Sequence, residues 1–287
     1  MRNSRLACAV AIVLLATVAG CNRESSSTTG AEPAVVADGQ TEVAPEPASS
    51  SQDVDLTDVV ETNAQYVIGI SYPPSASRYP ELAAQLKRYA DAARGELMQA
   101  VAGQPQGELA SAAVYDLSLS FTEVLETPEV VAYAADGSSY TGGAHGMPLL
   151  ARFVWLPKQR QMLTAERLVP NAAGWQPISA YAREQLHTAL SQRIDAEDLS
   201  PSDRAEMVRN AGRMIDDGTA ADAENFSQFE PLAGPDGKLR GLRFVFAPYQ
   251  VGPYSDGVQS VDVPASVLFP HVAPEYRGLF EGGSPSH

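Results

Sequence analysis

The sequence predicts an α+β fold of antiparallel sheets with packed helices, arranged as two consecutive subdomains. Three observations lead there. Tyr115, Leu117, Leu119 and Phe121 alternate with Asp116, Ser118, Ser120 and Thr122, the period-two pattern of an antiparallel strand buried on one face. Leu82, Leu86, Ala93, Leu97 and Val101 recur at three- and four-residue steps, the period of a helix with one apolar stripe. Strand-like and helix-like stretches also come in blocks, with turns that suit antiparallel neighbours, which favours α+β over a regularly alternating parallel sheet.

Order is expected from about Val54, after a polar stretch. Tyr66-Val67-Ile68-Gly69-Ile70-Ser71-Tyr72 reads as a strand stopped by Pro73-Pro74, since proline cannot donate to a ladder. Residues 80–102 read as an amphipathic helix interrupted only at Tyr89-Ala90, with Pro80 in a first turn that needs no donor. After the alternating strand, Glu129 to Tyr133 and Leu149 to Leu156 add strands around a glycine-rich loop. Residues 174–191 carry Ile178, Tyr181, Ala182, Leu186 and Leu190 on one helical face. Ser200-Pro201-Ser202-Asp203 reads as an N-cap with proline at the first helical position. Phe226 to Leu232, the turn Gly234-Pro235-Asp236-Gly237 and Leu239 to Ala247 form a hairpin, with Leu242, Phe244 and Phe246 facing one way. Val258 to Val263 is a last strand, and Ala265 to Leu268 starts a short closing helix. The expected subdomains are 53–168 and 169–276, followed by a flexible tail over 277–287.

The N-terminus carries a different signal. Arg2 and Arg5 precede an apolar run from Leu6 to Val18, which is too short to span a bilayer, and Val18-Ala19-Gly20-Cys21 follows. This stretch resembles the lipobox of bacterial lipoproteins, although valine stands where leucine is commoner. The resemblance implies a signal peptide over 1–20, cleavage before Cys21, and acyl chains such as palmitate on the new N-terminus. The alternative is an ordinary signal peptide that leaves Cys21 free. Acylation would anchor the chain to a membrane. Asn22 is not the aspartate that marks inner-membrane retention, so the expected address is the outer membrane, facing the periplasm. Residues 22–52 are rich in Ser, Thr, Glu, Ala, Gly and Pro and cannot form a core. A tether of about 30 such residues spans on the order of 30 Å.

Composition removes several classes of function. The formal charge is −15, and loss of Arg2 and Arg5 with the leader makes it −17, so nucleic acid would be repelled and a basic protein attracted. The two cysteines are Cys8, in the leader, and Cys21, at the lipid, so no intramolecular disulfide is expected and the fold must rely on its own core.

Two glycine-rich loops remain. Tyr140-Thr141-Gly142-Gly143-Ala144-His145-Gly146 lies between strands, with Leu163-Thr164 starting a short helix beyond it. Residues 246–257 join the last two strands and include Tyr249, Tyr254, Ser255 and Asp256, after Asn225-Phe226 and before Val261-Asp262-Val263-Pro264. In order and spacing these segments resemble tandem domains of unknown function of the RsiV type, found in a lysozyme-sensing anti-sigma factor and beside the catalytic domain of a peptidoglycan deacetylase. The resemblance runs from about Asp53 to Pro274. It implies two non-catalytic α+β parts meeting near Leu168. It also departs: only a short leader precedes Cys21, so direct sigma-factor control is not expected, and the deacetylase's metal-binding Asp-Asp and His-x-x-x-His elements are absent.

Tyr140, Gly142, Gly143, His145, Tyr249, Tyr254 and Asp256 are therefore the candidate ligand-binding residues. Glycines around His145 permit positive φ, so its imidazole could reach a ligand; the structural alternative is that it bonds a neighbouring carbonyl and fixes its loop. Only His187, His271 and His287 accompany it, without metal-ligand spacing, and neither metal nor cofactor is expected. Ser255 and Asp256 with His145 invite a hydrolytic triad, but no nucleophile elbow exists and Asp256-Gly257 is a better turn. Glu123, Glu126 and Glu129 could pair for glycoside cleavage, yet alternation puts the first on the polar face. Tyr249 and Tyr254 suit stacking on a sugar or burial in a partner's pocket, against packing on the sheet. The two loops are expected to meet and form one recognition surface. The expected function is a non-enzymatic, lipid-anchored envelope protein that binds a basic protein such as lysozyme, or peptidoglycan; the alternative is a cell-wall polysaccharide deacetylase or hydrolase.

Overall fold

The computed structural model describes residue 54 and residues 56–104 and 114–282. The leader, Cys21 with its tether, and the tail from residue 283, including His287, lie outside the described residues. The fold is α+β, with a six-stranded and a three-stranded sheet.

The larger sheet runs in chain order: β1 (Val59–Thr62), β2 (Tyr66–Ser71), β3 (Tyr115–Glu126), β4 (Val131–Tyr140), β5 (Met147–Leu156) and β6 (Gln161–Met162). The side chain of Asn63 accepts from the backbone N–H groups of Gln65 and Tyr66 at 2.8 and 2.9 Å, a local bond that turns β1 into β2. Between β2 and β3 stands α1 (Pro80–Ala102), with proline at its start. Its stripe of Leu82, Leu86, Ala90, Leu97 and Val101 is buried. Ala90 thus completes the stripe, while the Tyr89 ring packs edge-on against Phe121 at 6.4 Å. A helical crossover lets the next strand enter in the same direction. Accordingly β2 and β3 are parallel, and the other neighbours are antiparallel, as expected of the sheet at large.

β4 explains how the two halves join. Val131, Tyr133 and Ala135 share a core with α1, whereas Val130 and Ala132 share one with the C-terminal elements. Burial on both faces replaces alternation with a continuous apolar run over Val131–Ala135, and β4 then outruns the sequence expectation through the polar residues Asp136–Tyr140, which pair with β3 and β5. α2 (Ala165–Leu168) follows, capped by the Thr164 hydroxyl, which accepts from the Arg167 N–H. Leu163, Ala165 and Leu168 pack with the C-terminal core.

The C-terminal layer comprises α3 (Trp175–Ala196), α4 (Pro201–Gly218), β7 (Phe229–Ala233), β8 (Leu239–Phe246), β9 (Gln259–Pro264) and α5 (Ala265–Leu268). Ser200 caps α4, its hydroxyl accepting from the Asp203 N–H at 3.2 Å. Trp175 stacks on Phe226 at 5.4 Å, and Phe226 meets Phe244 edge-on at 5.1 Å. The chain does not loosen at residue 277 as expected. Leu279 and Phe280 are buried, and Phe280 bridges to Leu239, because two apolar side chains have a berth beside β8.

A buried cation ties the layers together. The Arg152 side chain on β5, only 6% exposed, pairs with Asp136 of β4 at 2.9 Å and Glu230 of β7 at 2.6 Å. Its backbone N–H donates to the Gln228 side chain at 2.8 Å. Burying a guanidinium is tolerable only with such compensation.

Candidate functional site

The loop between β4 and β5 turns back on itself at Gly142 and Gly143, whose φ values of 99° and 108° lie where a side chain would be strained. The Tyr140 hydroxyl donates to the Gly143 carbonyl at 3.2 Å. The turn delivers an exposed His145.

The loop between β8 and β9 is held from below. Gln250 donates through Nε2 to the carbonyls of Gly218 and Asn225, at 3.1 and 2.9 Å. Gly218 is required there, because a Cβ would come within 2.0 Å of the Gln250 carbonyl oxygen. Above this anchor Tyr249 takes a φ of 74°, rare for a residue with a side chain, and is 54% exposed. Its backbone N–H donates to the Gly252 carbonyl at 3.0 Å. Residues Tyr254–Asp256 form a 3-10 turn.

These two loops meet. The His145 ring stacks on Tyr254 with centroids 4.1 Å apart and planes 19° from parallel. Tyr249 lies 5.6 Å from Tyr254, and its hydroxyl is 3.0 Å from His145 Nε2. His145 Nδ1 is 3.2 Å from the Gly146 carbonyl. A carbonyl can only accept, so Nδ1 carries a proton, and in the neutral imidazole Nε2 accepts from the Tyr249 O–H. His145 thus fixes its own loop, as the structural alternative held, and also joins it to the second loop. The exposed Met147 and Val258 flank the same two loops in sequence.

Other sequence candidates are placed differently. Asp256 pairs with Arg193 of α3 at 2.8 Å. With both His145 ring nitrogens engaged elsewhere, Ser255, His145 and Asp256 form no relay. Glu126 pairs with Arg78 and Glu129 with Lys158. Glu123 accepts from the Ser75 hydroxyl, which in turn accepts from Tyr133 at 2.8 Å. Burial, the largest cause, raises the pKa of Tyr133 and Tyr89. The same cause, aided by Asp91 and Asp58, pushes Tyr72 up to about 12. These groups belong to the N-terminal half, on its sheet and α1, not to the joined loops. Among the described residues no group of three or more His, Cys, Asp or Glu could hold a metal. His187 instead meets Asp216 at 3.1 Å.

Sequence reasoning missed Gln250 and Arg193. Each acts through a partner distant in the chain, and neither carries a local signal beyond being a polar residue on a helix or beside a turn.

Residues 168–266 match the model of one family, described as "Protein of unknown function (DUF3298)", so the chain carries a DUF3298 domain. No curated protein matches the chain. Among solved structures, a DUF3298 family protein from Pseudomonas aeruginosa PAO1 is 16% identical, with a TM-score of 0.48, over 79% of this chain and 94% of that one. A DUF3298 family member from Bacteroides fragilis NCTC 9343 is 14% identical, with a TM-score of 0.42, over 76% of this chain and 92% of that one. No helix among the described residues is long and apolar enough to cross a membrane.

Proposed function

We propose that this protein is a lipid-anchored component of the bacterial cell envelope whose RsiV-type α+β module binds a ligand without transforming it. The lipid sits on Cys21, and the module faces the periplasm from the outer membrane. Lysozyme-like muramidases and peptidoglycan are the candidate ligands.

The surface cluster of the exposed His145 and Tyr249 around the half-buried Tyr254 is the observation that carries the binding reading. One of its rings rests on a backbone conformation that costs about 1–2 kcal/mol. Strain of this kind at a surface loop supports a role in recognition. Rigid aromatic groups bind at low entropic cost and stack on sugars or fill a pocket in a partner. The formal charge of −15 favours a basic partner.

The test is binding of the mature protein to a basic lysozyme and to purified peptidoglycan, at low and high ionic strength. We expect one of them to bind, lysozyme with salt-weakened affinity, and at least about a tenfold loss on Tyr254→Ala. Retention of full affinity by the His145→Ala, Tyr249→Ala, Tyr254→Ala triple variant would refute the site. Release of acetate or reducing ends from peptidoglycan would refute the non-enzymatic reading. The anchor is tested separately, by incorporation of labelled palmitate that Cys21→Ser abolishes.

A further inference from the structure

Next to the aromatic cluster, α3, α4 and residues 253–256 enclose an open groove of about 540 Å³, within the range of small-ligand sites. Met207, Ala211, Met214 and Pro253 supply apolar lining, and Glu197, Asp203 and Glu206 line it as well. The Arg193–Asp256 pair separates it from a smaller recess of about 170 Å³, lined in part by Leu190, Ile215 and Val251. Asp203, Met207, Asn210 and Met214 follow one another at helical steps, so α4 presents a single mixed face.

The charges are unbalanced. Arg193 is engaged by Asp256 at 2.8 Å. Among the described residues the Asp203 side chain bonds the Ser200 hydroxyl, at 2.8 Å, and neither of the exposed Glu197 and Glu206 forms an ion pair, Arg193 of the same lining being held by Asp256. A groove of this kind attracts a ligand that is apolar at its centre and positive at its edges.

We propose that the groove binds a short cationic amphipathic segment of a partner protein, with an apolar side chain over Met207 and Met214 and flanking Lys or Arg beside Glu197, Asp203 and Glu206. Methionine side chains adapt to varied apolar shapes, which suits a segment better than one rigid metabolite. The chain's own residues 22–52 carry five carboxylates against Arg23 alone, and a second copy would bring −15 of like charge. Both are poor occupants on charge. The proposal rests on the binding-module reading and deepens it by naming the partner's chemistry, but it uses side chains other than the aromatic cluster.

The experiment titrates the full-length protein, held in detergent micelles, with two labelled tetrapeptides, acetyl-Lys-Leu-Leu-Lys and acetyl-Glu-Leu-Leu-Glu, by fluorescence anisotropy. We expect the lysine peptide to bind with salt-weakened affinity and the glutamate peptide not to bind. The exposed double substitution Glu197→Gln, Glu206→Gln should weaken the lysine peptide at least about tenfold. Met207→Ser should weaken it as well. No binding, equal binding of both peptides, or indifference to the double substitution overturns the groove. Loss on Tyr254→Ala but not on the double substitution moves the site to the aromatic cluster, overturning this proposal while sparing the proposed function. Peptide binding that survives alongside failure of every lysozyme and peptidoglycan test refutes the candidate ligands and spares the groove.

Discussion

Two aromatic clusters in this protein use the same ring geometry for opposite ends. In the core, Trp175 stacks on Phe226 at 17° between planes, and Trp175, Phe226, Phe244 and Phe246 are at most 2% exposed. At the loops, His145 stacks on Tyr254 at 19°, yet His145 is exposed and Tyr249 is 54% exposed. Burial stabilises the first cluster by removing large apolar surfaces from water. The second gains little of that and includes a residue at a φ of 74°. Ring contacts alone therefore do not distinguish the two clusters; exposure and backbone conformation do.

The comparison breaks most visibly through the core. Phe226→Ala should destabilise the protein by about 3–5 kcal/mol in urea unfolding followed by circular dichroism; a cost below about 1 kcal/mol would deny the cluster its structural role. Arg152→Ala should cost about 3 kcal/mol in the same assay, because Glu230 would be left buried without its cation. A loss confined to one half of the molecule would show that the layers do not depend on this junction.

The exposed cluster should respond in the opposite sense. Tyr254→Ala should move stability by no more than about 1 kcal/mol, while the proposed ligand binding should weaken at least about tenfold. Tyr249 sharpens the contrast further: Tyr249→Gly should be about 1 kcal/mol more stable than Tyr249→Ala, because alanine keeps the positive φ without the ring contacts. Equal stabilities would mean the strain at Tyr249 is not real.

The smallest effect belongs to the N-terminal sheet. Burial pushes Tyr72 from 10.0 up to about 12, so the folded state keeps a proton that the unfolded chain releases first. Stability from this group is complete below pH 10 and falls as pH rises from 10 toward 12. Tyrosinate absorbance recorded together with urea unfolding across that window checks it. A Tyr72→Phe variant should show a shallower decline.

Much of the architecture was legible because periodicity survives wherever one face meets water. Leu117, Leu119 and Phe121 are buried and Ser118, Ser120 and Thr122 exposed, and Ser200-Pro201 starts α4 as its capping chemistry requires. The legible signal failed at the polar end of β4, where pairing with both neighbours and not an apolar pattern continues the strand, and where a strand is as short as β1. It also failed for the parallel β2–β3 pair, since a crossover direction is a property of the whole sheet. Within the site, turn chemistry singled out the residues of both loops, and the meeting of His145 with Tyr254 followed an explicit expectation. Asp256 was placed with them for its position in the loop, but its side chain serves Arg193.

What the sequence by itself determined is local: helical and strand periods, caps, proline stops and glycine turns, each set by a few neighbouring residues. Only the tertiary structure decided which side chains share a surface. The Tyr249–His145 bond, the Gln250 anchor beneath it and the groove on α4 each join segments far apart in the chain. Such contacts depend on how the sheets and helices stack, which no short window of sequence encodes.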